Sequence, residues 1–208
     1  MKRNLVPVLL LTVAMAVSGC ASTKFTSTWK APGANPVDPD PGSKIVAVVV
    51  EQDENRRRRH ESYLARELSA RGYEGVASFT LVPVGQLQDE AAAKAAFDGA
   101  GAVGVIVMRV VGIDVDRVER PSQYYSGPTY GGYWGGYYGY GWTTVYSPGY
   151  LREETTVAVE TLIYDLEQNT LLWAGTSEST NPDNAPELIQ NLVAMAANEM
   201  KKAGVLVR

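Results

Sequence analysis

Few stretches of this sequence have residue types and spacings suited to chemistry. The run Gly99-Ala100-Gly101-Ala102-Val103-Gly104 has the G-x-G-x-x-G spacing with which dinucleotide-binding proteins approach a pyrophosphate. That chemistry needs a strand before the glycines and a helix after them, so that the phosphate meets a helix N-terminus. Here a helical pattern precedes the glycines and a strand pattern follows, so the run reads as a tight helix-to-strand turn and no nucleotide is expected. Asp114 and Asp116 alternate near the end of a strand and face one side together, with Glu119 just beyond. Paired carboxylates do acid–base work or hold Ca²⁺, but two are too few for a calcium cage. Arg117 and Arg120 stand close by, and structural ion pairing is the expected use.

The basic run Arg56 to Arg59, closed by His60, suits anionic headgroups or lipopolysaccharide phosphates. The plainer reading is a solvated helix face carrying i,i+4 pairs such as Arg57–Glu61. His60, spaced four residues from Leu64 and eight from Leu68, reads as a half-buried packing residue. Glu160 sits mid-strand among apolar residues and needs a partner if it is buried. One Cys and one His exclude a zinc cluster, a disulfide framework or a multi-His metal site within the chain. No G-x-S-x-G, S-x-x-K, H-E-x-x-H or P-loop pattern is present. The chain is therefore expected to be non-enzymatic, with no catalytic residue, cofactor or metal. A net charge of −4 argues against a nucleic-acid partner.

The single cysteine has the strongest context. Lys2 and Arg3 form a positive start, Leu5 to Val17 is an apolar stretch of 13 residues, and Val17-Ser18-Gly19-Cys20 fits the bacterial lipobox. The stretch is shorter than the ~20 residues that a spanning helix needs. The segment resembles bacterial lipoprotein signal peptides, which implies cleavage before Cys20 and acylation of its thiol and freed amine, palmitate included. Such chains anchor a protein at ~0.8 kcal/mol per buried CH₂. Ala21, rather than an aspartate, follows the cysteine, which resembles an outer-membrane address with the domain facing the periplasm. Loss of residues 1–19 removes two basic residues and no acid, leaving 17 basic against 23 acidic residues.

Between Pro121 and Tyr150 lie nine Tyr, two Trp, eight Gly and no charge. Glycine discourages regular structure, while the aromatics offer flat faces with a polar handle. The segment is either a low-complexity excursion that a long loop tolerates, or a sticky surface. In the second case Tyr133, Trp134, Tyr137, Tyr138 and Trp142 are the candidate contacts, to another envelope protein or to a glycan such as peptidoglycan or polysaccharide.

The elements that position these groups follow from pattern. Residues 20–43 read as the lipidated Cys20 and a Pro-rich tether, in which Phe25 and Trp29 are expected to dock as an edge strand. Residues 44–208 read as one α/β domain with the 121–150 insertion. Lys44–Glu51 is a doubly covered strand. Asp53 caps a helix running to about Arg71, which Gly72 stops. Val76–Val82 is a second strand, and Leu87–Asp98 is a helix with Leu87, Ala91 and Ala95 four apart. Ala102–Val115 is a third strand. Arg152–Asp165 and Leu171–Ser179 form an antiparallel hairpin through Gln168-Asn169, and Asn184–Lys202 is a C-terminal helix with Pro186 in its first turn. The expected fold is a single mixed sheet of about five strands, β-α-β-α-β and then a hairpin, with helices packed on it.

The order of these signals resembles a family of bacterial lipoproteins of unknown function. The residues that carry the likeness are the lipobox, Thr28-Trp29-Lys30-Ala31-Pro32, Arg56-Arg57 leading a helix, Glu160-Thr161-Leu162-Ile163-Tyr164-Asp165 and Leu172-Trp173-Ala174-Gly175-Thr176. The resemblance implies a lipid-anchored envelope protein and carries no activity or catalytic residue. At the level of fold alone, the order also resembles the small α/β domains of envelope assembly factors such as the N-terminal domain of TolB.

Overall fold

The run Ile45-Val46-Ala47-Val48-Val49-Val50 forms the centre of the molecule, because a strand apolar at every position must be covered on both faces. The computed structural model describes residues 22–34, 39–87, 89–117 and 153–206. In it the strand β2 (Lys44–Val50) pairs in parallel with β3 (Glu74–Ala77) on one side and β4 (Ala102–Arg117) on the other. Helix α1 (Glu54–Ala70) carries the chain from β2 to β3, and α2 (Glu90–Gly99) carries it from β3 back past β2 to β4. Beyond β4 the sheet is antiparallel, through β5 (Glu153–Asp165) and β6 (Thr170–Thr180), and ends in β1 (Ser22–Lys30). The order is β1-β6-β5-β4-β2-β3. The last element is helix α3 (Ala185–Lys202).

Alternation along β2 divides the core. Val46, Val48 and Val50 pack with Ala93 and Phe97 of α2, while Ile45, Ala47 and Val49 pack with Leu64 and Leu68 of α1 and Ile189 and Leu192 of α3. The three described α-helices begin at the caps expected of short polar side chains. Asp53 accepts the amide of Arg56 at 2.9 Å, Asp89 that of Ala92 at 3.1 Å and Asn184 that of Glu187 at 2.9 Å. Gly72, just past α1, takes a φ of 91° that only glycine adopts freely.

Three expectations are revised. Ser22–Lys30, inside the segment read as a tether, is a sixth strand. Phe25 and Trp29 dock as expected, with the Phe25 ring edge-on to Trp173 at 5.3 Å and Trp29 against the α2-side core. The strand expected over Val76–Val82 ends at Ala77 and turns into a 3₁₀ turn over Ser78–Thr80. In α2 the buried residues are Ala93 and Phe97, and Ala91 and Ala95 are exposed, so the expected Leu87–Ala91–Ala95 stripe faces the wrong way. Leu87 is buried but precedes the helix.

β4 outlasts its parallel neighbour. Its pairing with β2 ends at Arg109 opposite Val50, and residues 110–117 continue with β5 alone among the described strands. This end of the sheet, the upper end below, holds the C-terminus of β2, the N-termini of α1 and α3 and the start of β1. A bulge at Val111 exchanges the faces of β4, so that Ile113 and Val115 lie opposite Val157 and Thr155, and Asp114 and Asp116 opposite Thr156 and Glu154.

Candidate functional site

The charged side chains of the upper end are used largely as internal ties. The i,i+4 pair Arg57–Glu61, expected on a solvated face, is buried: the two residues are 1% and 0% exposed. They extend the stripe of Leu64 and Leu68 that α1 turns towards the sheet. The Glu61 carboxylate accepts from Arg57 Nη1 at 2.9 Å, Ser78 Oγ at 2.8 Å, the Phe79 amide at 3.0 Å and the Val49 amide at 3.3 Å. One carboxylate thus joins α1 to the C-terminal ends of β2 and β3. Burial pushes its pKa above the usual carboxylate range, against the pull of Arg57, Ser78 and the two amides.

On the opposite face Glu160 has the partner that its burial requires. Arg109, its register partner on β4, donates from Nη2 to Glu160 Oε2 at 3.0 Å. Tyr164 lies on the same face of β5, and burial, then the charge of Glu160, pushes its hydroxyl well above the ordinary tyrosine value.

Two more arginines of the basic run are also engaged. Arg56 pairs with Glu51 at 3.1 Å, and Arg58 donates twice to Glu54 and stacks over the Phe79 ring at 5.2 Å. Arg58 holds Glu54 below the usual carboxylate range, and the Arg56 amide does the same for Asp53. Acids therefore neutralise much of the charge that would draw an anion to the start of α1. His60 is half-buried as expected. Its Nδ1 lies 3.9 Å from Glu51 Oε2, too far for a hydrogen bond, and burial lowers its pKa below 6.5.

The glycine run has the order that the pattern indicated. α2 ends at Gly99, Gly101 turns with a φ of 73° and β4 begins at Ala102, so no helix N-terminus follows the glycines. Among the described residues no group of three His, Cys, Asp or Glu stands close enough to hold a metal. Asp114 stands opposite Thr156, while Glu119 and Arg120, the side chains of Asp116 and Arg117, and with them the expected pairing of the two aspartates, lie outside the described residues. So do Cys20 and the candidate contacts Tyr133, Trp134, Tyr137, Tyr138 and Trp142. Sequence reasoning missed one feature, a cavity of about 830 Å³ between the C-terminal halves of α1 and α3. Its lining includes Ile45, Met108, Thr161 and Ile163, with Arg71 and Lys201 among its charged residues. No periodicity marks it, because its apolar lining residues read as ordinary core, each in its own element.

The fold and these ties define a single-sheet α/β domain with helices on both faces. Residues 37–202 match the model of DUF4136, a domain of unknown function, and the chain belongs to that family. No curated protein matches the chain. Among solved structures it is similar to the PelC dodecamer from Paraburkholderia phytofirmans, at 14% identity and a TM-score of 0.41 over 83% of this chain and 91% of that one. It is also similar to lipoprotein GNA1162 from Neisseria meningitidis, at 18% identity and a TM-score of 0.40 over 78% and 99%.

Proposed function

We propose that the chain is a lipid-anchored protein of the cell envelope, in the outer membrane and facing the periplasm, whose domain binds another envelope component and performs no catalysis. The observation that carries the reading is the lipobox ending at Cys20, with the first strand beginning two residues later at Ser22. The use of Arg57, Glu61, Arg109 and Glu160 as internal ties supports a binding role over a catalytic one. The candidate contact surface is the aromatic sequence 121–150, which joins β4 to β5. A second reading, glycan binding through Tyr133, Trp134, Tyr137, Tyr138 and Trp142, rests on the same composition.

In-cell crosslinking followed by mass spectrometry, on the full chain and on a variant lacking residues 121–150, tests the proposal. An envelope protein captured by the full chain alone is the expected result. Quenching of tryptophan fluorescence by soluble glycan fragments, with no protein captured, moves the assignment to the second reading. Equal capture by both forms removes the aromatic sequence from the binding surface.

A further inference from the structure

We infer that the domain is seated on the bilayer by the upper end of its sheet, with the β4–β5 ribbon as a second membrane contact beside the acylated cysteine. The inference rests on the lipid-anchor reading above and adds an orientation to it. Ser22 pairs with Thr180, Thr180 with Thr156, and Thr156 with Asp114, so these four residues form one row across the sheet. Three steps of ~4.8 Å place Ser22 about 14 Å from Asp114. Cys20 precedes Ser22 by two residues, which span at most about 7 Å when fully extended. Beyond the same row the ribbon runs on through Val115, Asp116 and Arg117 opposite Thr155, Glu154 and Glu153. Three residues at ~3.4 Å carry it about 10 Å further. The ribbon therefore reaches at least as far as the lipid anchor does, and the domain has no slack with which to stand away from the headgroups.

A domain held at one corner can still pivot, and its exposed apolar surface sets the direction. Among the described residues the exposed large apolar side chains are Val111, Ile113 and Val103. The first two are on the ribbon and the third is at the opposite end of β4. The ribbon is also two-faced. Ile113 and Val115, opposite Val157 and Thr155, make an uncharged face, and Asp114, opposite Thr156, shares the other with Glu154. Anionic lipid repels the acids, so contact comes through the Ile113 face, and a neutral surface suits it at least as well as an anionic one.

The test uses the full acylated protein reconstituted in phosphatidylethanolamine vesicles containing some phosphatidylglycerol. Intact mass confirms the acyl groups, and the non-acylated Cys20→Ser chain in solution serves as the reference for backbone hydrogen exchange. The expected result is slowing by about tenfold at amides of residues 110–117 and 153–157, with no change at 99–102 and 166–170. A Val111→Ser, Ile113→Ser variant should lose the slowing yet stay on the vesicles through its acyl chains. Absent acyl groups overturn the anchor reading and the orientation with it. Acyl groups without ribbon protection, or with protection at the lower end, overturn the orientation alone. Slowing that grows with protein concentration in the absence of vesicles assigns the ribbon to a second copy of the chain and also overturns it.

Discussion

Replacing Glu61 by Leu and, separately, Arg57 by Leu should cost unequal amounts, because only one member of the buried pair can discard its charge. Glu61→Leu removes the acceptor for Arg57, Ser78 and the Phe79 and Val49 amides at once. The guanidinium that remains is 1% exposed, cannot lose its proton, and has Glu54 only at 3.9 Å. Breaking a buried pair this way costs about 3–5 kcal/mol, and orphaned donors cost about 1–3 kcal/mol without adding fully. A loss near 4 kcal/mol is expected. Arg57→Leu leaves a carboxyl that keeps three uncharged donors and can neutralise itself by taking a proton, so its loss should be nearer 2 kcal/mol. The double variant should lose well under the sum, because no lone charge is left buried.

The pH dependence separates the two further. The Glu61 carboxyl titrates above its unfolded value of 4.5, so the folded state holds that proton more tightly. Its contribution is therefore full below 4.5 and is lost as pH rises through the folded value. Removing Arg57, the largest of the influences that lower it, should steepen that loss. Urea midpoints of the four proteins across pH 4 to 8 give all these quantities. Equal losses for the two single variants, or a double variant as unstable as their sum, would refute the reasoning.

Other consequences follow from local geometry. A methyl group added at Gly75 would collide with the carbonyl oxygen of Ala65 and come within 2.7 Å of its carbon. These are backbone atoms of α1 that no rotamer change can move, so Gly75→Ala should cost about 3 kcal/mol, the upper end for overpacking. A loss below about 1 kcal/mol would show that α1 shifts freely over β3. Burial holds His60 below 6.5, against Glu51 and with the help of Arg59 and Arg56. A depressed histidine costs stability as pH falls through 6.5 towards its folded value, so wild type should lose more there than His60→Asn, as read from paired urea midpoints. Asp53→Ala removes the cap on the Arg56 amide and should cost about 1 kcal/mol by the same assay, and no change would mean that another group satisfies that amide.

Much of the fold was legible because its signals are local. The Asp53 cap, the Gly72 stop, the β5–β6 hairpin and the doubly buried β2 need only neighbouring residues for their recognition. Glu160 was legible as a problem, a carboxylate amid apolar residues, though its answer, Arg109, lies 51 positions away. What stayed hidden depends on tertiary partners. β3 stops at Ala77 where Ser78 and Phe79 turn to donate to Glu61, and nothing in Val76–Val82 announces that carboxylate. A stripe through His60, Leu64 and Leu68 leaves Arg57 on the solvated side. The steps 57, 61, 64, 68 fit a helix face equally well and are the buried ones. β1 carries no apolar alternation beyond Phe25 and Trp29, and those two alone marked it.

The lipid anchor proposed at Cys20 lies immediately beside the folded domain, two residues before β1. The most direct measurement is the mass of the N-terminal peptide of the protein extracted from bacterial membranes, alongside a Cys20→Ser variant. The expected peptide begins at Cys20 and carries acyl groups, with the variant unmodified and released from the membrane. A mature chain that begins elsewhere, or an unmodified Cys20 in a membrane-bound protein, would contradict that anchor.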